Sequence, residues 1–199
     1  MSEPNSQDSL DPLEILTASL ESCDANLTKD GPNAAVAAIL TRDPDPGILF
    51  IHRVAHEGDP WSGHIAFPGG RIEETDGSPR AAAERETMEE VGLDLGEGRL
   101  LGRLSDLTGS TMPVCVSCHV YSLPSIPDLS PNEEVEDAFS IRLSDLADRQ
   151  RWVDAEFTIR GGMKPYPAID LGLDGKPLLW GLTYRFVIQL LGHAGVADD

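Results

Sequence analysis

Three carboxylates, Glu86, Glu89 and Glu90, stand close together in the stretch RETMEEVGL. On a helix, successive residues turn about 100° around the axis. Residues three and four positions apart therefore share a side, and all three side chains fall within an arc of roughly 100°. For the helix alone this is unfavourable, because like charges at these spacings destabilise by roughly 0.2–0.5 kcal/mol per pair. A hard divalent cation reverses the sign, since Mg²⁺ and Mn²⁺ prefer carboxylate oxygens and water. The competing interpretation is a solvated acidic face.

The local sequence predicts the helix that these carboxylates need. Ser78 is a good N-cap, Pro79 suits the first turn and Gly92 suits the C-terminal cap. Between them run Ala81, Ala82, Ala83, Glu84, Arg85, Glu86 and Met88, nearly all strong helix formers. Upstream, Phe67-Pro68-Gly69-Gly70 ends an apolar run and delivers the chain into a loop. Two glycines let the backbone approach a ligand closely, and a carbonyl there could complete a metal site facing the helix.

Together these residues resemble the Nudix hydrolases, whose signature reads G-x5-E-x7-R-E-U-x-E-E-x-G-U, with U a bulky aliphatic residue. Arg85 to Leu93 matches every fixed position of the second half, and only Thr87 departs, at the first U. The first half departs more. Counting six on from Gly70 gives Asp76, and eight residues rather than seven separate Asp76 from Arg85. The loop therefore carries one extra residue near Asp76-Gly77-Ser78, and Asp76, Glu74 or Glu73 could fill the place of the first Glu.

The resemblance implies hydrolysis of X–O–P–O–P–O–Y, with water attacking one phosphorus and the other phosphate leaving. Mg²⁺ or Mn²⁺ would be held by Glu86, Glu89 and Glu90, with the Gly70 carbonyl as a further ligand. Arg85 is the family's charged neighbour, which usually holds a carboxylate in place. Its plainer role is an i,i+4 pair with Glu89, worth roughly 0.3–0.5 kcal/mol. The general base could be Glu86, Glu89 or an acid from another loop. Pro131-Asn132-Glu133-Glu134-Val135-Glu136 supplies the best distal candidate, Glu134, although such a loop also reads as charged surface.

The segment before the glycines bears on substrate. Arg53 to Gly70 resembles the coenzyme A diphosphatase branch of the family, which carries an arginine-containing stretch and a HxGQVSFPGG-like run. His64 replaces the usual Gln, and Gly58 or Asp59 lies where the branch has a second arginine. Leu179-Trp180-Gly181-Leu182-Thr183-Tyr184-Arg185 resembles the same branch. Arg53, Trp61 and His64 are thus candidate substrate-binding residues. Trp61 could stack an adenine or act as an apolar anchor, and His64 could contact substrate or pack at a loop. The implied substrate is coenzyme A or an acyl derivative. The alternatives are ADP-ribose or a related nucleotide derivative, a mutagenic nucleotide or an RNA cap. A sensor that binds a nucleotide without cleaving it is a different class, and such modules usually lose the carboxylates kept here.

Composition sets the outer bounds. At 199 residues the chain suits one domain with a tail. With 34 acidic and 15 basic residues the formal net charge is −19. Such a surface repels phosphate backbones, so nucleic acid is not the expected partner, and a phosphorylated small molecule needs metal ions or arginines around it. Twelve of the basic residues are arginines, suited to bidentate phosphate contacts. No apolar run approaches the roughly 20 residues that span a membrane. MSEPNSQDSLD is acidic and polar, unlike a signal peptide, so a cytoplasmic location is the default. A homodimer is allowed by this reading but not required. The cysteines are Cys23, Cys115 and Cys118. The last two have CxxC spacing on a strand-like run, where residues three apart point to opposite faces, so a zinc or redox centre is not expected.

The elements around the carboxylates alternate. Residues 1–9 read as disordered. An amphipathic helix is expected from Leu10 to Cys23. Strands are expected at Asn33–Leu40 and Ile48–Arg53, as a hairpin, and at His64–Phe67. Further strands are expected at Leu100–Leu107, Val114–Leu123 and Val135–Ile141. A short helix at Leu143–Ala147 follows, then strands at Glu156–Arg160 and Tyr166–Leu171, and a closing helix at Leu178–Leu191. The predicted class is α/β, a Nudix α/β/α sandwich with a mixed central sheet. Its divisions are an acidic tail and helix over 1–32, the Nudix domain over 33–193 and a C-terminal tail over 194–199.

Overall fold

The structure, a computed structural model, describes residues 11–22, 25–26, 31–56, 62–109, 113–159 and 162–196. Residues 1–9, whose sequence reads as disordered, lie outside the described residues.

A mixed sheet forms the middle layer. Its strands are β1 (Ala34–Thr41), β2 (Gly47–Arg53), β3 (Ile65–Ala66), β4 (Gly69–Arg71), β5 (Arg99–Arg103), β6 (Leu107–Thr108), β7 (Cys115–Leu123) and β8 (Val135–Arg142). The main order is β3-β2-β1-β7-β5, with β4 on β1, β6 on β7 and β8 on β2. β1 and β7 run parallel over their whole length, and every other pair is antiparallel. β1 is small and apolar because both its faces are covered.

Alternate residues of these strands feed two apolar layers. On one face Ala35, Ala37, Ile39, Leu49, Ile51 and Tyr121 pack against α2 (Pro79–Val91). On the other, Ala38, Leu40, Ile48, Phe50, Cys118 and Val120 pack against α1 (Pro12–Ser22) and α4 (Gly181–His193). Leu13, Leu16 and Leu20 tie α1 into this second layer, together with Phe186, Val187, Leu190 and Leu191 of α4. A short α3 (Leu143–Ala147) follows β8. The result is the α/β/α arrangement.

A separate three-stranded sheet holds β9 (Trp152–Ile159), β10 (Gly162–Ile169) and β11 (Leu179–Trp180), in the order β11-β10-β9. Here the boundaries differ from the sequence expectation. Leu178–Trp180 is not helical, because Leu179 and Trp180 pair with Ile169 and Ala168. Gly181, at φ 70°, is the left-handed joint that turns this strand into α4. The strand expected at Leu100–Leu107 is broken after Arg103, where Leu104 N–H bonds the Cys118 carbonyl and Asp106 N–H the Asn26 carbonyl.

Candidate active site

α2 forms for the reasons its sequence states. Ser78 Oγ accepts the Ala81 N–H at 3.1 Å, and Pro79 opens the helix. Gly92 closes it at φ 70°, its N–H on the Met88 carbonyl. Thr87, at the position where the family pattern has an aliphatic residue, is fully buried. Its hydroxyl donates to the Ala83 carbonyl at 2.7 Å, so the core receives no unmet polar group.

The glycine strand β4 lies beside β1 and facing α2. Gly69 has φ 145°, and a Cβ there would lie 2.3 Å from the Ala35 carbonyl oxygen, so no other residue fits. A Cβ on Gly70 would lie 2.5 Å from the Glu86 carboxylate carbon. The Glu86 carboxylate thus occupies the space that the missing side chain leaves. Loop and helix are in direct contact at the acidic face.

Arginines hold the carboxylates. Arg85 meets Asp76 with two parallel bonds of 3.0 Å, Nε to Oδ1 and Nη2 to Oδ2. Its Nη1 reaches Glu86 at 3.0 Å and Glu89 at 3.1 Å, and Nη2 also donates to the Arg71 carbonyl. Of the three acids in the loop, Asp76 is the one whose carboxylate meets the arginine. Its side chain also accepts the Glu73 N–H at 2.8 Å, closing the 73–76 turn. Asp is one methylene shorter than Glu, and the loop's additional residue carries its carboxylate to Arg85. The Arg85 hydrogen bonds, then the Glu73 backbone, hold the Asp76 carboxyl below its usual range.

Glu90 is the most enclosed of the three, 2% exposed. It accepts the Gly69 N–H at 2.8 Å and Arg53 Nη1 at 3.2 Å. Burial pushes its carboxyl up to about 7, against the lowering pull of Gly69 and Arg53. Burial likewise raises Glu86. Glu89 is open to solvent.

Of the other expected residues, Glu134 is drawn to the site: its carboxylate lies 4.0 Å from Arg53 Nη2 and is 63% exposed. Arg53, expected at substrate, is engaged with Glu90 and Glu134, bridging strand β2 to the helix. His64 packs edge-on against Trp180, ring centroids 4.9 Å apart. Glu136 turns to His52 at 3.3 Å. Trp61 and Cys23 lie outside the described residues. Cys118 is buried in the core, which raises its thiol pKa, and Cys115 sits partly exposed at the start of β7.

Among the described residues no three His, Cys, Asp or Glu side chains converge on one point as metal ligands. The acidic face nonetheless suits a hard cation chemically: its donors are all oxygens, and it is backed by the close fit at Gly70. A cation there would lie beside Glu86 and Glu89, which Arg85 holds in place, and beside Glu90, whose burial outweighs its contacts with Arg53 and Gly69.

Comparison with known proteins gives the family. The NUDIX domain family matches residues 31–160. The chain belongs to the Nudix family. It is a hydrolase of the class that cleaves phosphorus-containing acid anhydrides. An uncharacterized Nudix hydrolase of Escherichia coli, NudL, is 28% identical over 82% of this chain and 83% of its own length. An uncharacterized protein of Schizosaccharomyces pombe is 37% identical over 73% of this chain but only 55% of its own. A MutT/Nudix family protein from Enterococcus faecalis has the same fold, with a TM-score of 0.55, 17% identity, and coverage of 96% of this chain and 71% of that one. No helix among the described residues is long and apolar enough to cross a membrane.

Sequence reasoning missed the partners on the far side of α2, where Tyr121 and Arg80 engage Glu84. It also missed the bond between Lys176 and Asp137. Arg80 and Glu84 are an ordinary i,i+4 helix pair, but the bonds of Tyr121 and of Lys176 join residues distant in sequence, and no local pattern signals those.

Proposed function

We propose that this Nudix hydrolase depends on Mg²⁺ or Mn²⁺ and cleaves the diphosphate of coenzyme A or an acyl-coenzyme A. The observation that carries the reading is the acidic face of α2 pressed against the glycine strand, with the Glu86 carboxylate where a Gly70 side chain would be. Glu86, Glu89, Glu90 and the Gly70 carbonyl are the proposed metal ligands. A bound divalent ion neutralises phosphate oxygens and lowers the pKa of a water.

The chain's own residues supply the rest. Arg85, fixed by Asp76, sets the positions of Glu86 and Glu89. Arg53 balances Glu90 and draws Glu134 close. As water adds to one phosphorus, its proton passes to a carboxylate, and the P–O bond to the other phosphate breaks. Glu89 and Glu134 are the proposed acceptors, since both are solvent-exposed beside arginines.

The coenzyme A assignment rests on the run Gly63–Gly70 and on Leu179–Arg185. In the fold these two segments meet, His64 packing on Trp180, which supports treating them as one substrate-facing unit. The test is a panel of coenzyme A, acetyl-coenzyme A, ADP-ribose, NADH, diadenosine polyphosphates and nucleoside triphosphates with Mg²⁺ or Mn²⁺, products identified by mass. Release of 3′,5′-ADP and 4′-phosphopantetheine at the highest kcat/KM is the expected result. Preference for another member of the panel would discard coenzyme A. Binding without turnover would point to a sensor.

A further inference from the structure

The small sheet carries an aromatic group that belongs to neither apolar layer. Phe157 stacks on Trp180 with centroids 3.9 Å apart and planes 13° from parallel. Tyr166 lies 5.9 Å from Trp180, and His64 closes the group from the main sheet. All four side chains are half-buried.

Register shows which way this group faces. Lys164 stands across from Phe157, Tyr166 from Ala155, and Ala168 from both Val153 and Trp180. Directly opposed residues share a face and neighbours along a strand alternate. One face of the β9–β10 hairpin therefore bears Val153, Ala155, Phe157, Lys164, Tyr166 and Ala168, beside Trp180 of β11. No acid stands on it, in a chain with 34. Asp154 and Glu156 stand on the opposite face. Lys164, exposed and beside Phe157, is the cation on the acid-free side.

The group is linked to the carboxylates through His64 and Arg53. The Arg53 N–H bonds the His64 carbonyl at 3.1 Å, one step beyond the His52–Ile65 pair. His64 and Arg53 therefore emerge on the same side of the sheet, and Arg53 binds Glu90.

We propose that this acid-free aromatic face is the nucleoside subsite: Phe157, backed by Trp180, stacks the purine, and Lys164 meets a phosphate carried on the ribose. It rests on the proposed function, which makes the substrate a purine nucleotide derivative. It adds the residues that would tell a nucleotide with an extra ribose phosphate from one without.

Two measurements test it. The first is kcat and KM for coenzyme A and dephospho-coenzyme A with wild type, Phe157→Leu and Lys164→Gln. Loss of the aromatic face should raise KM about tenfold for both substrates, kcat holding within about twofold. Lys164→Gln should raise KM about fivefold for coenzyme A alone. The second titrates metal-free protein with adenosine 3′,5′-diphosphate, read by tryptophan fluorescence, and the same variants should weaken binding in parallel.

Unchanged KM for both variants in an active enzyme would overturn the subsite and leave the hydrolase reading standing. An enzyme that cleaves no nucleotide diphosphate would defeat that reading, and the titration then decides the subsite alone. Lys164 is exposed, so its variant remains informative even if Phe157→Leu lowers the melting temperature.

Discussion

The two sides of α2 hold carboxylates in opposite ways. On one side the fold holds one oxygen of Glu84: Tyr121 donates to its Oε1 at 2.8 Å, and Arg80 Nε does so at 2.8 Å. On the other, Glu86, Glu89, Glu90 and Glu134 gather around Arg85 and Arg53, more acid than base. The first arrangement sets one acid against one arginine and a hydroxyl. The second has more carboxylates than arginines, and at Glu90 burial outweighs the contacts with Arg53 and Gly69. One helix thus carries a structural acid and a set of acids suited to an added cation.

The strongest way to break this division is Glu89→Gln. Glu89 is exposed and gives the fold little, so its loss should leave the melting temperature nearly unchanged. Turnover with Mg²⁺ should nevertheless fall by about 100-fold or more, because a metal ligand acts in the transition state. Near-normal kcat would remove Glu89 from the cation site. Chelation by EDTA should abolish wild-type activity in the same assay, and added Mg²⁺ should raise the melting temperature by binding the folded state.

The comparison sharpens with pH, because the two sides bury groups of opposite kind. Glu90 titrates near 7 in the folded, metal-free protein, above its unfolded value near 4.5. The folded state then holds the extra proton between these values, so stability present below about 4.5 is lost as pH rises toward 7. On the far side, β7 buries His119 at 7% exposure across from Arg103. Among the described residues its Nε2 makes no hydrogen bond. Burial first, then Arg103 and Arg80, lower its pKa from 6.5 to about 4. The unfolded chain there holds the extra proton, so this contribution is present above 6.5 and lost as pH falls to about 4. Each group should change the unfolding free energy by roughly 3 kcal/mol across its window. Urea melts of metal-free protein should show Glu90→Gln removing the loss on the neutral side and His119→Gln removing the loss on the acid side. Identical pH profiles for wild type and both variants would show that neither group is so enclosed.

A smaller effect probes the contact between loop and acidic face. A Cβ at Gly70 would sit 2.5 Å from the Glu86 carboxylate carbon, so Gly70→Ala must displace Glu86. kcat should fall about tenfold, a cost of about 1.4 kcal/mol in the transition state. A variant with unchanged kcat would mean that Glu86 can move freely and is not held at a ligand position.

Much of this was legible in the sequence, and for a physical reason. Ser78, Pro79 and Gly92 mark α2 locally, and helical spacing alone places Glu86, Glu89 and Glu90 on one side. The hairpin of β1 and β2 and the existence of strand β7 also follow the apolar runs, while the parallel pairing of β7 with β1 does not. What the sequence hid depends on pairs far apart along the chain. Nothing local says that Asp76 rather than Glu73 or Glu74 meets Arg85, because three acids lie within reach of one arginine. Nothing local makes Leu179 and Trp180 a strand, since the helical apolar pattern continues through them and only pairing with Ala168 and Ile169 overrides it. Arg53 reads as an arginine free for phosphate, and becomes a bridge to Glu90 only when β2 is laid beside the helix.

The mildest substitution tests the other half of the division. Glu84→Gln keeps the shape and an oxygen to accept from Tyr121 and Arg80, removing only the charge from these bonds. Charge-assisted bonds exceed neutral ones modestly, and this pair is partly exposed, so the expected loss is about 0.5–1 kcal/mol by denaturant melt. The Tyr121 hydroxyl, whose pKa is raised by burial and then by Glu84, should titrate at lower pH in the variant, read by ultraviolet absorbance. kcat and KM should stay within about twofold of wild type. If Glu84→Gln instead cut turnover as deeply as Glu89→Gln, the helix would not carry two kinds of carboxylate, and the acidic face would have to be redrawn around all of its acids.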